Sequence, residues 1–211
     1  MIEEADFPIP GTAVPRNKLG ITDLSQLNRA EADFSAYRLV ELQCSPIRGS
    51  FDTAHLQNIH HYIYQDLYDW AGELRVADRD RLQQSLDKTL DGLGADNHLR
   101  ALSEHEWTAE ATGYVYKLRA LQPFVRGNEI VLREFAVELA AKNQVGLRWD
   151  AATALSTEAA SALVQQEAQS ASLRRLIMLA MDKDASPLRP NRGDRFETTL
   201  ERTANFGASL L

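Results

Sequence analysis

The segment Leu121-Gln-Pro-Phe-Val-Arg-Gly-Asn-Glu-Ile-Val-Leu-Arg133 gathers the residue types in this chain that are best placed to do chemistry. Pro123 closes one helical run, and Gly127-Asn128 opens the next a few residues later. Gly127 lets the backbone turn closely, and Asn128 is a suitable cap for the following helix. The unpaired amides at such a helix start attract anions. Local chemistry alone is equally well met by a plain helix–loop–helix corner, since Gly-Asn before a helix is common.

Other reactive side chains are less informative. Cys44 is the single cysteine, near the end of a helix with no base beside it in sequence, and reads as a packed or incidental thiol. It excludes an intrachain disulfide framework and fits a reducing compartment. His60 and His61 lie on an amphipathic helix, where packing or local capping is the ordinary role. Tyr62, Tyr64, Tyr68 and Trp70 crowd the same helix, mostly as core and in part as the border of a ligand cleft.

The elements that must position these residues are helical. Residues 1–20 contain Pro8, Pro10, Gly11, Pro15 and Gly20 and read as an extended arm. Asp23 or Ser25 caps a helix running to about Cys44, ended by Pro46 and Gly49. Asp52 caps the next, whose stripe Leu56, Ile59, Ile63, Leu67 and Trp70 runs to a stop at Gly72. Leu74–Ala77 is too short to decide between strand and coil. A helix follows from Asp80 to about Leu93, closed by Gly92 and Gly94. Ser103 and Glu106 form a capping-box pattern that starts a helix through Trp107, Tyr114, Leu118 and Leu121. The run from Asn128 to Asn143 buries Val131, Leu132, Phe135, Ala136, Leu139 and Ala140. Leu155–Met181 is mostly helical, and Pro187, Pro190 and Gly193 lead to a terminal helix from about Glu197. The expectation is one all-α domain over 1–211: an arm at 1–20, a core at about 21–182, and a linker with a C-terminal helix at 185–211. At most a vestigial hairpin sits near 73–80.

Composition limits the functional classes. Of 211 residues, 44% are hydrophobic and 25% charged, which is ordinary for a globular protein. The formal charge of −7 and the lack of a basic block argue against nucleic acid as a partner. Glu3, Glu4 and Asp6 stand where a signal peptide would carry positive charge. The apolar stretch Leu176–Met181 is too short to span a bilayer. A cytoplasmic protein without membrane contact is expected.

Three stretches together resemble the Fic family, protein nucleotidyltransferases that mostly move AMP from ATP onto a hydroxyl side chain. Leu121–Arg133 is similar to their active-site motif, His-x-Phe-x-(Asp/Glu)-Gly-Asn-Gly-Arg-x-x-Arg. Pro10-Gly-Thr-Ala-Val-Pro-Arg-Asn-Lys-Leu-Gly-Ile21 resembles the family's entry segment. Leu56-Gln-Asn-Ile-His-His-Tyr-Ile-Tyr-Gln-Asp-Leu-Tyr-Asp-Trp-Ala-Gly-Glu-Leu-Arg75 is similar to its helix ending in Tyr-Asp-Trp-Ala-Gly. The resemblance spans about residues 8–180 and implies a Fic-type helical bundle.

The motif is degenerate. The family's His, which deprotonates the target hydroxyl, is Gln122 here, unable to act as a base near neutral pH. His105 lies about five helical turns upstream, His98 lies further still, and His60 is a weak substitute. The acid that holds Mg²⁺ against the phosphates is Arg126, so the motif is not expected to hold the metal. The second glycine is Glu129, a carboxylate that suits the helix dipole but occupies the phosphate's spot. The first arginine is Ile130. Phe124, Gly127, Asn128 and Arg133 survive, with Pro123. The resemblance therefore implies a nucleotide site at Phe124, Arg126, Gly127, Asn128, Glu129 and Arg133, with ATP retention undecided.

Between Arg75 and the helix near Asp80–Arg81 there is little room for the hairpin that captures targets by strand pairing in the family. Losing the base costs roughly 10²–10⁴ in rate and losing an anion-stabilising donor roughly 10²–10³; such terms do not simply multiply. The family's inhibitory pattern, Ser/Thr-x-x-x-Glu-Gly/Asn, has no clean copy: Glu201 has Glu197, not Ser or Thr, four residues before it.

A pseudoenzyme that regulates or binds a protein partner is the leading expectation. An active adenylyltransferase or related phosphotransferase with a non-standard base, and a decayed copy without a role, are the alternatives. The family's members include bacterial toxins and secreted effectors, which leaves toxin, effector and regulator open, and with them a homo-oligomer.

Overall fold

The computed structural model describes residues 8–147. The helices expected at 155–181 and from 197, the linker between them and the Glu197–Glu201 comparison lie outside the described residues. Within 8–147 the chain forms five α-helices: α1 (Leu24–Cys44), α2 (Thr53–Tyr64), α3 (Arg79–Ala95), α4 (Glu104–Leu121) and α5 (Asn128–Lys142). A single 3-10 turn, Asn97–Leu99, joins α3 to α4. Among the described residues there is no strand; Pro8 and Pro15 form one isolated bridge.

The starts follow from side chains that catch orphan amides. Asp23 accepts from the Gln26 amide at α1, and Asp52 from the His55 amide at α2. At α4, Ser103 accepts from the Glu106 amide while Glu106 reaches back to the Ser103 amide, completing the capping box.

Two of the expected boundaries differ. α2 ends at Tyr64, and Leu67 and Trp70 lie in the turns that follow. Both are buried nonetheless, Leu67 completely; the turns keep the apolar stripe facing inward after the helical period has ended. The arm does not simply extend. The Ile9 amide donates to Val14 O, the Lys18 amide donates to Leu67 O, and Val14 is buried.

The core follows the apolar stripes. α2 supplies Leu56, Ile59 and Ile63, all with no exposed surface. α3 supplies Leu82, Leu86, Leu90 and Leu93, spaced by three and four residues along one face. α5 is buried on nearly all sides, including Val131, Leu132, Phe135, Ala136, Leu139 and Ala140, as its sequence suggests. It packs against α2 and α4, while α2 also touches α1 and α3. This helix begins at the motif loop, so the loop is fixed by a largely buried element.

Candidate functional site

The loop between α4 and α5 owes its shape to two residues with left-handed backbone. Gln122 closes α4 at φ 44 and Gly127 precedes α5 at φ 75. Gly127 is required twice over. Its φ disfavours any L side chain, and a Cβ there would lie 2.5 Å from both Cζ and Oη of Tyr64. Asn128 does not cap α5 as its type suggests. It is the first helical residue, and its side chain turns back into the loop, accepting from the Phe124 amide at 2.9 Å and donating to Phe124 O at 2.8 Å. A cap satisfies helix amides; here the same donor and acceptor serve the preceding loop, which has no other backbone partner at Phe124.

His60 supports the loop from below. Its ring stacks on buried Phe124 with centroids 4.0 Å apart. The Gly72 amide donates to His60 Nδ1 at 2.7 Å, so the ring proton sits on Nε2, which donates to Arg126 O at 3.2 Å. The imidazole thus bridges the Trp-Ala-Gly turn and the motif loop as a neutral strut. Burial depresses its pKa to about 3. His61 donates from Nδ1 to Ala71 O at 2.9 Å. Both histidines have structural partners, and neither faces the site as a free base. The stacking of His60 beneath Phe124 had no sequence signal beyond the spacing of α2, because the Phe is 64 positions away in the chain.

The outer residues are engaged with one another. Gln122 is exposed, with Nε2 donating to Arg119 O at 2.9 Å and Oε1 accepting from Asn128 Nδ2 at 3.2 Å. Arg126 turns away from the helix start toward α1. Its Nε donates to Glu31 Oε1 at 2.6 Å and its Nη2 to Asn28 Oδ1 at 2.7 Å. Tyr68 also donates to Glu31. The Arg126 and Glu31 side chains keep 27% and 15% of their exposure, so this pair is largely shielded. Glu129 leans back onto α4, 2.7 Å from Arg119, with 60% of its side chain exposed. Arg133 is half-buried, and burial lowers its pKa from the ordinary arginine range.

The segment expected to be a short flap is coil tied to the loop. The Arg75 amide donates to Pro123 O at 2.9 Å, and its guanidinium reaches Gln122 O at 2.9 Å. This is one backbone bond, not a ladder, and among the described residues no hairpin lies at 73–80.

Among the described residues no group of three His, Cys, Asp or Glu side chains gathers as a metal site. Glu31, the carboxylate that faces Arg126, is already bonded to its guanidinium. The amides at the start of α5 lack intrahelical acceptors by geometry and keep some affinity for an anion. Glu129 at the first turn opposes that affinity.

No family model matches the chain. It is 35% identical over 151 residues to the protein adenylyltransferase VbhT of Bartonella schoenbuchensis, covering 67% of this chain and 32% of that one. The chain thus spans about a third of the length of this relative. A probable protein adenylyltransferase Fic of Salmonella typhimurium is 28% identical over 151 residues, covering 66% of this chain and 74% of the relative. Among solved structures, BepC of Bartonella tribocorum, a VirB-translocated effector protein with bound AMPPNP, superposes with a TM-score of 0.76 at 20% identity. That match covers 86% of this chain and 99% of the other. Among the described residues no helix is long and apolar enough to cross a membrane.

Proposed function

Since the chain has the Fic fold and is related to the Fic protein adenylyltransferases, we propose that it is a catalytically impaired relative that works by binding a protein partner. The observation that carries this reading is the state of position 122. The side chain there is an amide, held between Arg119 O and Asn128, and the nearby His60 and His61 are committed to backbone groups. Among the described residues no proton acceptor is positioned to activate a hydroxyl, and general-base help is worth roughly 10²–10⁴ in rate.

The engagement of Arg126 by Glu31 supports the same reading. A phosphate would have to compete with a paired, shielded carboxylate for that guanidinium. Efficient AMP transfer is therefore lost, and ATP binding is weak or absent. A protein surface is the partner class favoured over nucleic acid by a formal charge of −7.

The experiment incubates the wild-type protein with ATP, Mg²⁺ and a cell lysate and reads AMP adducts by mass spectrometry. Silence is expected, and an AMP adduct formed at an ordinary enzymatic rate overturns the proposal in favour of a non-standard base. The reverse experiment restores Gln122→His, Arg126→Glu, Glu129→Gly and Ile130→Arg together. Because a carboxylate at 126 would face Glu31, the restoration includes Glu31→Gln. Transfer by this variant alone shows that the scaffold is sound and only its chemistry was lost.

A further inference from the structure

The buried side of α5 carries two carboxyls one helical turn apart, Glu134 and Glu138, with 7% and 6% of their surface exposed. We propose that Glu134 holds a proton in the folded protein, and that losing it at mildly alkaline pH releases a latch between Glu138 and the α1–α2 connection.

The latch is built around His55, in the first turn of α2. Glu138 Oε1 accepts from the Ile47 amide at 3.1 Å. The Phe51 amide donates to His55 Nδ1 at 3.2 Å, so the ring proton sits on Nε2. That proton faces Glu138 Oε2 at 2.8 Å and Ile47 O at 3.2 Å. The imidazole is therefore neutral, and it is completely enclosed. Gly49 passes so close that a Cβ there would lie 2.3 Å from His55 Cγ. The Phe51 ring meets those of His55 and Phe135 edge-on. Residues 47–51 are thus held onto α5 through one imidazole and one carboxylate.

The same geometry decides which carboxyl carries the charge. Two N–H groups converge on Glu138, whereas among the described residues no donor reaches Glu134. Like charges a turn apart repel, and more strongly out of water. One proton, placed on the carboxyl that has no donors, removes the repulsion. Arg133 draws the other way, but burial first and Glu138 second outweigh it and push the Glu134 pKa up to about 8. The titratable groups buried on α2 and α4, which pack against α5, are His55, His60, Tyr64 and Tyr114. Both imidazoles are neutral and burial raises both phenols, so none of the four supplies a charge at neutral pH. Lys142, one turn beyond Glu138, sets its ammonium over the Phe51 ring.

A glutamate in the unfolded chain titrates near 4.5. Between about pH 5 and pH 8 the folded protein therefore holds the extra proton, and the stability that this proton gives is lost as pH rises.

The test combines infrared spectra of the full chain at pH 7 with unfolding and amide hydrogen exchange across the pH range, for wild type, Glu134→Gln and Glu138→Gln. Gln copies the protonated form of Glu134. A protonated-carboxyl band is expected in wild type and not in Glu134→Gln. The unfolding constant of wild type relative to Glu134→Gln should rise by up to about tenfold per pH unit between about pH 5 and pH 8. Over the same interval the Ile47 and Phe51 amides should lose at least five-fold more protection in wild type than in Glu134→Gln, with the amides of α3 changing less. No band at pH 7, a band that persists in Glu134→Gln and vanishes in Glu138→Gln, or an unfolding ratio independent of pH overturns the placing of the proton. Equal loss of protection across the chain overturns the latch. If Glu134→Gln does not fold, loss of the wild-type band on raising the pH from 6 to 10 decides the first point, and exchange of the wild-type amides decides the second. Neither variant touches the motif loop, so the result stands whatever that loop binds.

Discussion

The inner and outer faces of the motif loop have had different fates. On the inner face Phe124 and Asn128 are buried with His60 and Tyr64 beneath, and Gly127 fits closely against the Tyr64 ring. The outer face, Gln122, Arg126 and Glu129, is more exposed, and each of its side chains has a partner within the protein. Residues that shape a loop are constrained by packing, which punishes any change of volume. Residues that act on a ligand are free to change once the ligand's chemistry is no longer required. On the function proposed above, the outer face is left with ordinary ion pairs and hydrogen bonds.

The sharpest break of this contrast is at Gly127. Gly127→Ala combines a left-handed backbone, roughly 1–2 kcal/mol for an L residue, with a clash against the Tyr64 ring costing roughly 1–3 kcal/mol. A loss of about 3 kcal/mol in urea unfolding of the full chain is expected. A loss under about 1 kcal/mol would mean that the inner face yields easily and that the two faces do not differ.

Arg126 tests the outer face. Arg126→Glu sets a carboxylate against Glu31, which is only 15% exposed at its side chain. Breaking a fully buried pair costs roughly 3–5 kcal/mol, and partial exposure reduces this to about 2 kcal/mol. Adding Glu31→Gln should restore most of the loss, which a double-mutant cycle by thermal unfolding would read as coupling. Additive effects would show that the pair does not hold the loop.

The neutral state of His60 makes the inner face sensitive to acid. Its pKa lies near 3 in the folded protein and near 6.5 when unfolded. Between those values the unfolded chain binds the extra proton, so the stability that neutral His60 gives is present above about pH 6.5 and is lost as pH falls. The slope is about 1.4 kcal/mol per pH unit for one such group. His60→Gln is destabilising at pH 7, and the gap to wild type should narrow steadily as pH falls from 6.5 to 4. A gap independent of pH would show that the ring is protonated in place.

Most of the fold was legible because its signals are local. Asp23, Asp52 and the Ser103–Glu106 box mark helix starts through bonds within one turn, and the stripes of α2, α3 and α5 repeat at the helical period. The end of α2 was not legible, because Leu67 and Trp70 keep the apolar spacing in turns that only tertiary contacts define. In the site, the amide at 122 and the guanidinium at 126 can be read directly from residue type. The partners of Arg126 cannot: Glu31 is 95 residues away, and nothing in the loop sequence points to α1. Asn128 reads as a cap by residue type, but Gly127 holds the cap position and Asn128 is the first helical residue, so its side chain closes the loop instead.

The smallest effect is expected at Glu129, and it bears most directly on what the outer face is for. The ion pair with Arg119 is 2.7 Å long, but Glu129 keeps 60% of its side-chain exposure, so the pair contributes at most about 0.5 kcal/mol. The carboxylate also sits in the first turn of α5, where the dipole adds a few tenths more. Glu129→Gln should therefore change the unfolding free energy by less than about 1 kcal/mol. The same substitution removes a negative charge from the anion-attracting start of α5. If a weak nucleotide site survives there, ATP affinity measured by calorimetry should rise several-fold in the variant while stability hardly moves. An unchanged ATP response would mean that the loop has lost the anion site together with the base, and the two faces would then differ in function as completely as they do in packing.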